Sequence, residues 1–185
     1  MSFAEMMGYK QKLQIEDLDL NEWIKLGDIK CNNDKLGITY SCYKDIRKSP
    51  FGRIYIIATD SHIVKIGGSQ DKGGIESTIN AYLRGDIGQS ESMRNYAICK
   101  YMKKMIASGS SVEIWFLPLP IVEVNVPKFD GTKTRKRVSV DFHAIEKAFV
   151  EDYYNYNNRY PLLNIQESRK TWKELGLSEG WSWKN

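Results

Sequence analysis

The sequence predicts an α+β fold in which a small antiparallel sheet is flanked by helices. Three observations support this: a strand hairpin within residues 53–66, two amphipathic helical patterns at 75–83 and 92–107, and a further strand followed by a final helix. Strands and helices in this order do not alternate as they would around a parallel sheet. The sheet is therefore expected to have three antiparallel strands, or more if flanking segments join it.

The clearest strands lie at residues 53–58 and 62–66, which read Arg-Ile-Tyr-Ile-Ile-Ala and His-Ile-Val-Lys-Ile. Both runs are rich in β-branched residues, and only a polar Thr-Asp-Ser segment separates them. Two such runs joined by a short turn are typical of a β-hairpin. A Gly-Gly-Ser segment at 67–69 is expected to end the second strand.

Three helices are expected after or around these strands. The first places Ile75, Ile79, Tyr82 and Leu83 on one face, and the second runs over about residues 92–107. The third runs from the capping Asp141 to about residue 155. Its inward-facing residues are expected to be Phe142, Ile145, Phe149 and Val150.

A third strand is expected at residues 112–117 and a fourth at 121–126, followed by a basic loop over 127–138. The chain has 27 Lys and Arg and 23 Asp and Glu, and outside residues 128–137 each sign counts 22. The net charge of +4 therefore lies in one segment, and a nucleic-acid backbone attracts such a concentration of positive charge. The candidate DNA contacts are Lys128, Lys133, Arg135, Lys136 and Arg137.

This order divides the chain into three regions. Residues 51–167 form the expected core. Residues 1–50 form an N-terminal extension for DNA contact or dimerisation, in which a helix is expected over 19–26 and a strand-like run over 37–43. Residues 168–185 form an aromatic tail with three tryptophans, which is expected to pack against the protein or a second copy.

Composition excludes several classes of protein. With 42% hydrophobic and 27% charged residues among 185, the sequence is typical of a globular protein. No apolar run approaches the roughly 20 residues that a membrane-spanning helix needs, and no secretory signal is recognisable. Three widely spaced cysteines provide neither a metal knuckle nor a disulfide framework. A cytoplasmic location without membrane contact is therefore expected.

Several catalytic motifs are missing from the sequence. It has neither the phosphate-binding G-x-x-x-x-G-K-[ST] nor the dinucleotide-binding G-x-G-x-x-G. Two histidines are too few for a histidine-rich metal site and make a Ser-His-Asp hydrolase unattractive. The E-x-K strand motif of many restriction-type metal sites is also missing. A metabolic enzyme is the least favoured class, because no cofactor motif is present.

Two strand motifs instead resemble the GIY-YIG nuclease superfamily, in its branch of small type II restriction endonucleases. Residues 52–55 (Gly-Arg-Ile-Tyr) are similar to the family's Gly-Ile-Tyr, and residues 65–69 (Lys-Ile-Gly-Gly-Ser) to its Tyr-Ile-Gly with a later serine. Lysine replaces the second tyrosine, as in some restriction-enzyme members. The resemblance continues to about residue 164. The family's arginine, glutamate, proline and asparagine are matched in order by Arg84, Glu146, Pro161 and Asn164.

The resemblance implies a phosphodiester hydrolase in which Tyr55, Lys65, Arg84 and Glu146 are catalytic. Glu146 would hold one Mg²⁺ or Mn²⁺ per active site, with water and phosphate oxygens as the remaining ligands. Arg84 would bind a phosphate oxygen; Arg94 is the alternative, because Arg84 follows the serine at a greater distance than the family arginine does. Possible supporting residues are His143, Arg94, Asn164 and Ser69.

The hairpin itself supports related chemistry. Tyr55 and Lys65 can face each other across the two strands, in which case the lysine would lower the pKa of the tyrosine. Either residue could then take a proton from the attacking water, and the sequence does not distinguish them.

Each of these residues also has a structural interpretation. Tyr55 could be a core aromatic and Lys65 an edge-strand lysine with its amine in solvent. Arg84 could simply end its helix, and His143, one turn before Glu146, could be a hydrogen-bonded structural residue. Asn164 is expected to tie a turn.

The favoured function is a sequence-specific type II restriction endonuclease acting on double-stranded DNA. Cutting both strands of a symmetric site predicts a homodimer, and a separate DNA methyltransferase is a possible partner. Two alternatives remain. One is a nucleic-acid-binding module with a degenerate nuclease site, and the other is a low-specificity nuclease in defence or recombination.

Overall fold

The computed structural model describes residues 14–19, 21–85 and 93–164. After a short 3₁₀ turn at Ile15–Asp17, these ranges contain seven strands and four helices. In chain order they are β1 (Ile24–Asn32), β2 (Lys35–Tyr40), α1 (Lys44–Arg47), β3 (Arg53–Thr59), β4 (His62–Ser69), α2 (Gly74–Leu83), α3 (Met93–Ala107), β5 (Val112–Pro118), β6 (Ile121–Pro127), β7 (Lys133–Ser139) and α4 (Phe142–Asn157).

The main sheet has five strands in the order β2-β1-β5-β3-β4, and every neighbouring pair is antiparallel. This confirms the α+β class and the predicted strands β3, β4 and β5, but the sheet is larger than the three strands expected. The two additional strands come from residues 24–40, within the segment described above as an extension.

The prediction of a helix over residues 19–26 is wrong, because strand β1 begins at Ile24. Local signals there favour a helix, with an Asp cap and an acidic first turn. However, β1 pairs with β2 on one side and β5 on the other, so its backbone is hydrogen-bonded along both edges. Such long-range pairing commonly overrides a weak local helix preference.

The structure confirms the β3–β4 hairpin, but its connection is two residues rather than the three expected, because Thr59 still belongs to β3. Asp60 and Ser61 both have positive φ, at 47° and 66°, which is the conformation of a type I′ turn. The twist of this turn matches that of the flanking strands. The pairing departs from a regular hairpin between Ile57 and Ala58, where a β-bulge shifts the register.

Helices cover both faces of the sheet. Helices α2 and α3 pack on one face, where Ile79, Tyr101 and Met102 are buried. Helix α4 packs on the other face through Val150 and Tyr153. The Asp141 side chain accepts a hydrogen bond from the His143 amide at 2.9 Å, so the predicted cap and helix start are confirmed.

The prediction of a basic loop over 127–138 is wrong in its conformation. Strands β6 and β7 form a separate two-stranded antiparallel ribbon, joined by a turn over residues 128–132. Concentrated charge suggested a solvated loop, but the alternating Thr134 and Val138 pair across the ribbon with Val126 and Val122. The basic side chains remain exposed on a regular strand.

Within the described ranges, no helix combines the length and the apolar character that crossing a membrane requires.

Candidate active site

Tyr55 lies in the middle of β3, the strand between β4 and β5. Its side chain is only 3% exposed, and its hydroxyl is hydrogen-bonded to the hydroxyl of Tyr82 on α2. The sheet face that α2 covers therefore brings two phenol groups together. A second hydroxyl is thus present beside Tyr55, although the second strand carries a lysine where the resembled family has a tyrosine.

Two glycines of the edge strand β4 allow side chains to approach the backbone closely. A Cβ on Gly67 would lie 2.4 Å from the Tyr55 hydroxyl oxygen, and a Cβ on Gly68 would lie 2.8 Å from Oε2 of Glu146. Successive residues of a strand point to opposite faces. Tyr55 and Glu146 thus converge on the Gly67–Gly68 segment from the two sides of the sheet edge.

The Tyr55 phenol is neutral in this environment. Burial, followed by the neighbouring Tyr82, raises the pKa of Tyr55 well above its usual value; Arg94 opposes this shift and Glu146 adds to it. Burial likewise raises the pKa of Tyr82, again against the effect of Arg94. The expectation that a cation would bring Tyr55 towards phenolate is therefore not met in the free protein.

Lys65 does not face Tyr55 directly, contrary to the sequence-based expectation. Tyr55 is opposite Gly67, and Lys65 is opposite Ile57, one pair further along the same face. The β-bulge produces this arrangement: extending the turn's regular pairing would place Lys65 opposite Ile56, on the other face of the sheet. The bulge therefore brings the buried Lys65 to the face that carries Tyr55.

The two candidate arginines differ in their surroundings. Arg84 is exposed at the end of α2, where its Nε donates to the Asn80 carbonyl oxygen at 3.2 Å. Arg94 is exposed in the first turn of α3, and its charge acts on both Tyr55 and Tyr82. The structure thus places the charge of Arg94 close to the tyrosine pair, and holds Arg84 against its own helix.

Glu146 is half-buried on α4, at the boundary of the core, and its side chain faces Gly68. Within the described ranges, its carboxylate takes part in no hydrogen bond or ion pair, and no cluster of three or more potential metal ligands occurs. A single free carboxylate suits Mg²⁺, which keeps most of its water and binds phosphate oxygens. His143 is exposed, and its ring contacts Phe142.

Two of the possible supporting residues have structural contacts. The Asn164 side chain accepts from the Ile66 amide at 3.0 Å and donates to the Ile66 carbonyl at 2.9 Å. Asn164 thereby provides hydrogen-bond partners for the backbone N–H and C=O of Ile66, which lies on the edge strand β4 immediately before Gly67 and Gly68. The Ser69 hydroxyl is hydrogen-bonded to the Thr78 hydroxyl at 2.7 Å and joins the end of β4 to α2.

Sequence reasoning missed Tyr82 and Arg53 as parts of this region. Tyr82 was placed on the buried face of its helix, and a tyrosine there already signals a hydroxyl in need of a partner. Arg53 is 3% exposed and donates to the carbonyls of Phe51 and Ser49, both at 2.9 Å. Burial lowers the pKa of Arg53 to about 10. No sequence pattern predicts a buried arginine at this position.

The five basic candidates for DNA contact all lie on the β6–β7 ribbon or its turn, and all are exposed. The base of the ribbon is attached near the start of β3. The Gly52 amide donates to the Ser139 hydroxyl at 3.1 Å, and the Arg137 guanidinium lies 5.2 Å from the centre of the Phe51 ring. The ribbon therefore begins near the end of β4 that carries Gly68, which Glu146 faces from α4.

Two solved structures are similar to this chain. One is a mutant of bacteriophage T4 EndoII, with 14% identity and a TM-score of 0.53 over 76% of this chain and 95% of that chain. The other is the restriction endonuclease HPY188I in complex with product DNA, with 18% identity and a TM-score of 0.54 over 87% of this chain and 89% of that chain. No family model and no curated protein sequence matches the chain. At these identities the likeness establishes a shared fold. The chain therefore has a fold found in nucleases and restriction enzymes, and membership of the GIY-YIG superfamily stays a prediction.

Proposed function

We propose that the protein is a DNA endonuclease that hydrolyses phosphodiester bonds at the Gly67–Gly68 segment. The observation that carries this proposal is the convergence of Tyr55 and Glu146 on two glycines that leave room for them. The similarity in fold to two endonuclease structures supports the same reaction class. The exposed basic ribbon beside the site supports DNA as the substrate.

Each residue has a distinct role in the proposed hydrolysis. The hydroxyl of Tyr55, hydrogen-bonded to Tyr82, orients the attacking water next to the phosphate. Arg94 stabilises the negative charge that accumulates on the phosphate oxygens, in preference to Arg84. Tyr55 is a neutral phenol in the free protein and would have to lose its proton before it could act as a base. Lys65 therefore remains the second candidate for the group that accepts the proton from water.

The residues present suit one Mg²⁺ or Mn²⁺ ion, which Glu146 would hold. When bound, such an ion polarises the phosphoryl oxygen and stabilises the leaving oxygen. Glu146 supplies one negative ligand at the edge of β4, where solvent and substrate phosphate can complete the coordination shell.

Plasmid cleavage in the presence of Mg²⁺ tests this function. Glu146→Gln keeps the shape of the side chain but removes its charge, and we expect the cleavage rate to fall at least about a hundredfold. Glu151→Gln is the matched control: Glu151 is exposed on the same helix, and among the described residues its ion pair is with Lys147, at 3.7 Å. Equal rates for wild type and Glu146→Gln would contradict the assignment.

The products of cleavage distinguish the finer proposals. Discrete fragments support a type II restriction enzyme, which we propose acts as a homodimer, with a separate methyltransferase protecting host DNA. A smear supports a low-specificity defence or recombination nuclease. Retained DNA binding without cleavage, across several DNAs and divalent ions, supports a binding module with a degenerate site.

A further inference from the structure

The two faces of the β6–β7 ribbon differ sharply in chemistry. Cross-strand pairing places Glu123 opposite Arg137 and Asn125 opposite Arg135, on the face that also carries Lys133. The other face consists mainly of valines with Thr134 and Lys136. All the charged residues named here are exposed.

From this arrangement we infer that the polar face of the ribbon lies in the major groove of duplex DNA and reads base edges. The inference rests on the proposed function only in taking duplex DNA as the partner. Arginine, asparagine and glutamate are the side chains whose geometry matches guanine, adenine and cytosine edges respectively. The ribbon brings these three residue types together on one face, so it provides more than a general attraction for phosphates.

The dimensions of the ribbon fit this partner. The major groove is about 12 Å wide and admits a two-stranded β-ribbon. Residues two apart on one strand are separated by about 6.8 Å, which equals about two base-pair steps of 3.4 Å. Arg135 and Arg137 are therefore spaced to contact base pairs two steps apart.

Contacts within the protein hold the polar face in place. The Arg135 guanidinium forms an ion pair with Glu123, which lies diagonally across the ribbon. The Arg137 guanidinium lies over the Phe51 ring. The carboxylate of Glu123 also offsets positive charge, which weakens attraction to any phosphate and so favours discrimination between sequences. The hydrogen bond from the Gly52 amide to Ser139 attaches the base of the ribbon next to the start of β3, on the side where Gly68 lies.

The opposite face supplies a matched control. Lys136 and Arg135 are neighbours on β7, both exposed, and their side chains point to opposite faces. Substituting alanine for either removes one positive charge from the same ribbon. We expect only the Arg135 substitution to change which sequences bind, whereas the Lys136 substitution weakens binding to all sequences alike.

The test is selection of binding sites from randomised duplex DNA, with the full chain carrying Glu146→Gln so that the DNA stays intact. In this background we expect a defined motif. Arg135→Ala should reduce discrimination at one base-pair position by about tenfold to a hundredfold, and Asn125→Ala should do so at another. Lys136→Ala should return the same motif with lower affinity.

The outcomes separate this inference from the proposed function. Two results would overturn base reading by the ribbon. The first is that the Glu146→Gln protein selects no motif, and the second is that both Arg135→Ala and Asn125→Ala select the same motif as it does. If the motif changes as expected but wild-type protein fails to cut DNA containing it, the reading of bases stands and the nuclease function fails. Thermal unfolding of each variant is the control for folding, and we expect these exposed substitutions to leave the protein folded.

Discussion

The close approach of Tyr55 to Gly67 gives the sharpest prediction from this structure. In Gly67→Ala the new methyl group would lie 2.4 Å from the Tyr55 hydroxyl oxygen, whereas ordinary contact begins at 3.4 Å. The tyrosine must therefore move by about 1 Å, and a displacement of that size in a catalytic site costs about a hundredfold in rate. Tyr82, which shares a hydrogen bond with Tyr55, must adjust as well.

The same substitution should cost stability, because it overpacks a buried site. The expected loss is about 1–3 kcal/mol, which corresponds to a fall in melting temperature of about 2–12 °C for a chain of this size. Plasmid cleavage and thermal unfolding measure the two effects separately.

Gly37→Ala is the control for this prediction. Gly37 lies in β2, and apart from its chain neighbours no atom in the described part of the chain stands within 4 Å of the position its Cβ would take. We expect wild-type cleavage and near wild-type stability from it. If Gly67→Ala also cuts DNA at the wild-type rate and unfolds at the wild-type temperature, the packing of Tyr55 against β4 is wrong.

Four further substitutions test other parts of the site. Tyr82→Phe removes the hydroxyl that supports the catalytic phenol, so the cleavage rate should fall about tenfold while stability falls by about 1 kcal/mol in urea unfolding. Arg94→Ala should lower the rate about a hundredfold to a thousandfold, whereas Arg84→Ala should lower it less than about threefold, in steady-state assays of the two proteins. Asn164→Ala breaks both hydrogen bonds to Ile66 and should destabilise the protein by about 1–3 kcal/mol, seen as a lower urea midpoint with an unchanged slope.

The features that the sequence predicted well depend on local signals. The β3–β4 hairpin follows from two β-branched runs around a turn at Asp60 and Ser61, and α4 follows from its Asp141 cap. Neighbouring residues along the chain determine these elements, so the sequence contains enough information to place them.

The features that were missed depend on contacts between distant segments. Strand β1 pairs locally with β2, but its place inside the sheet depends on β5, more than eighty residues later. The position of Lys65 depends on a single bulged residue in β4, and a shift of one residue reverses which face a side chain occupies. Tyr82 meets Tyr55 only once α2 has packed on the sheet. No spacing of motifs along the sequence encodes these three arrangements.

The ribbon shows a related limit. Its charge was evident from the sequence, and the candidate basic residues are all exposed. Its conformation was not evident, because β7 is mostly basic and the valines that stabilise it, Val122, Val124 and Val126, belong to the opposite strand. The separation of Arg135 and Lys136 onto different faces is visible only after this pairing is known.

The central claim is that Tyr55 and Glu146 act together in one nuclease site. A double-mutant cycle on the rate of Mg²⁺-dependent DNA cleavage tests it most directly, using Tyr55→Phe, Glu146→Gln and the double variant. Residues that act as a unit give strongly non-additive losses. We therefore predict that the double variant is no slower than the slower single variant. Losses that multiply in the double variant, or single variants that cut like wild type, would contradict the claim.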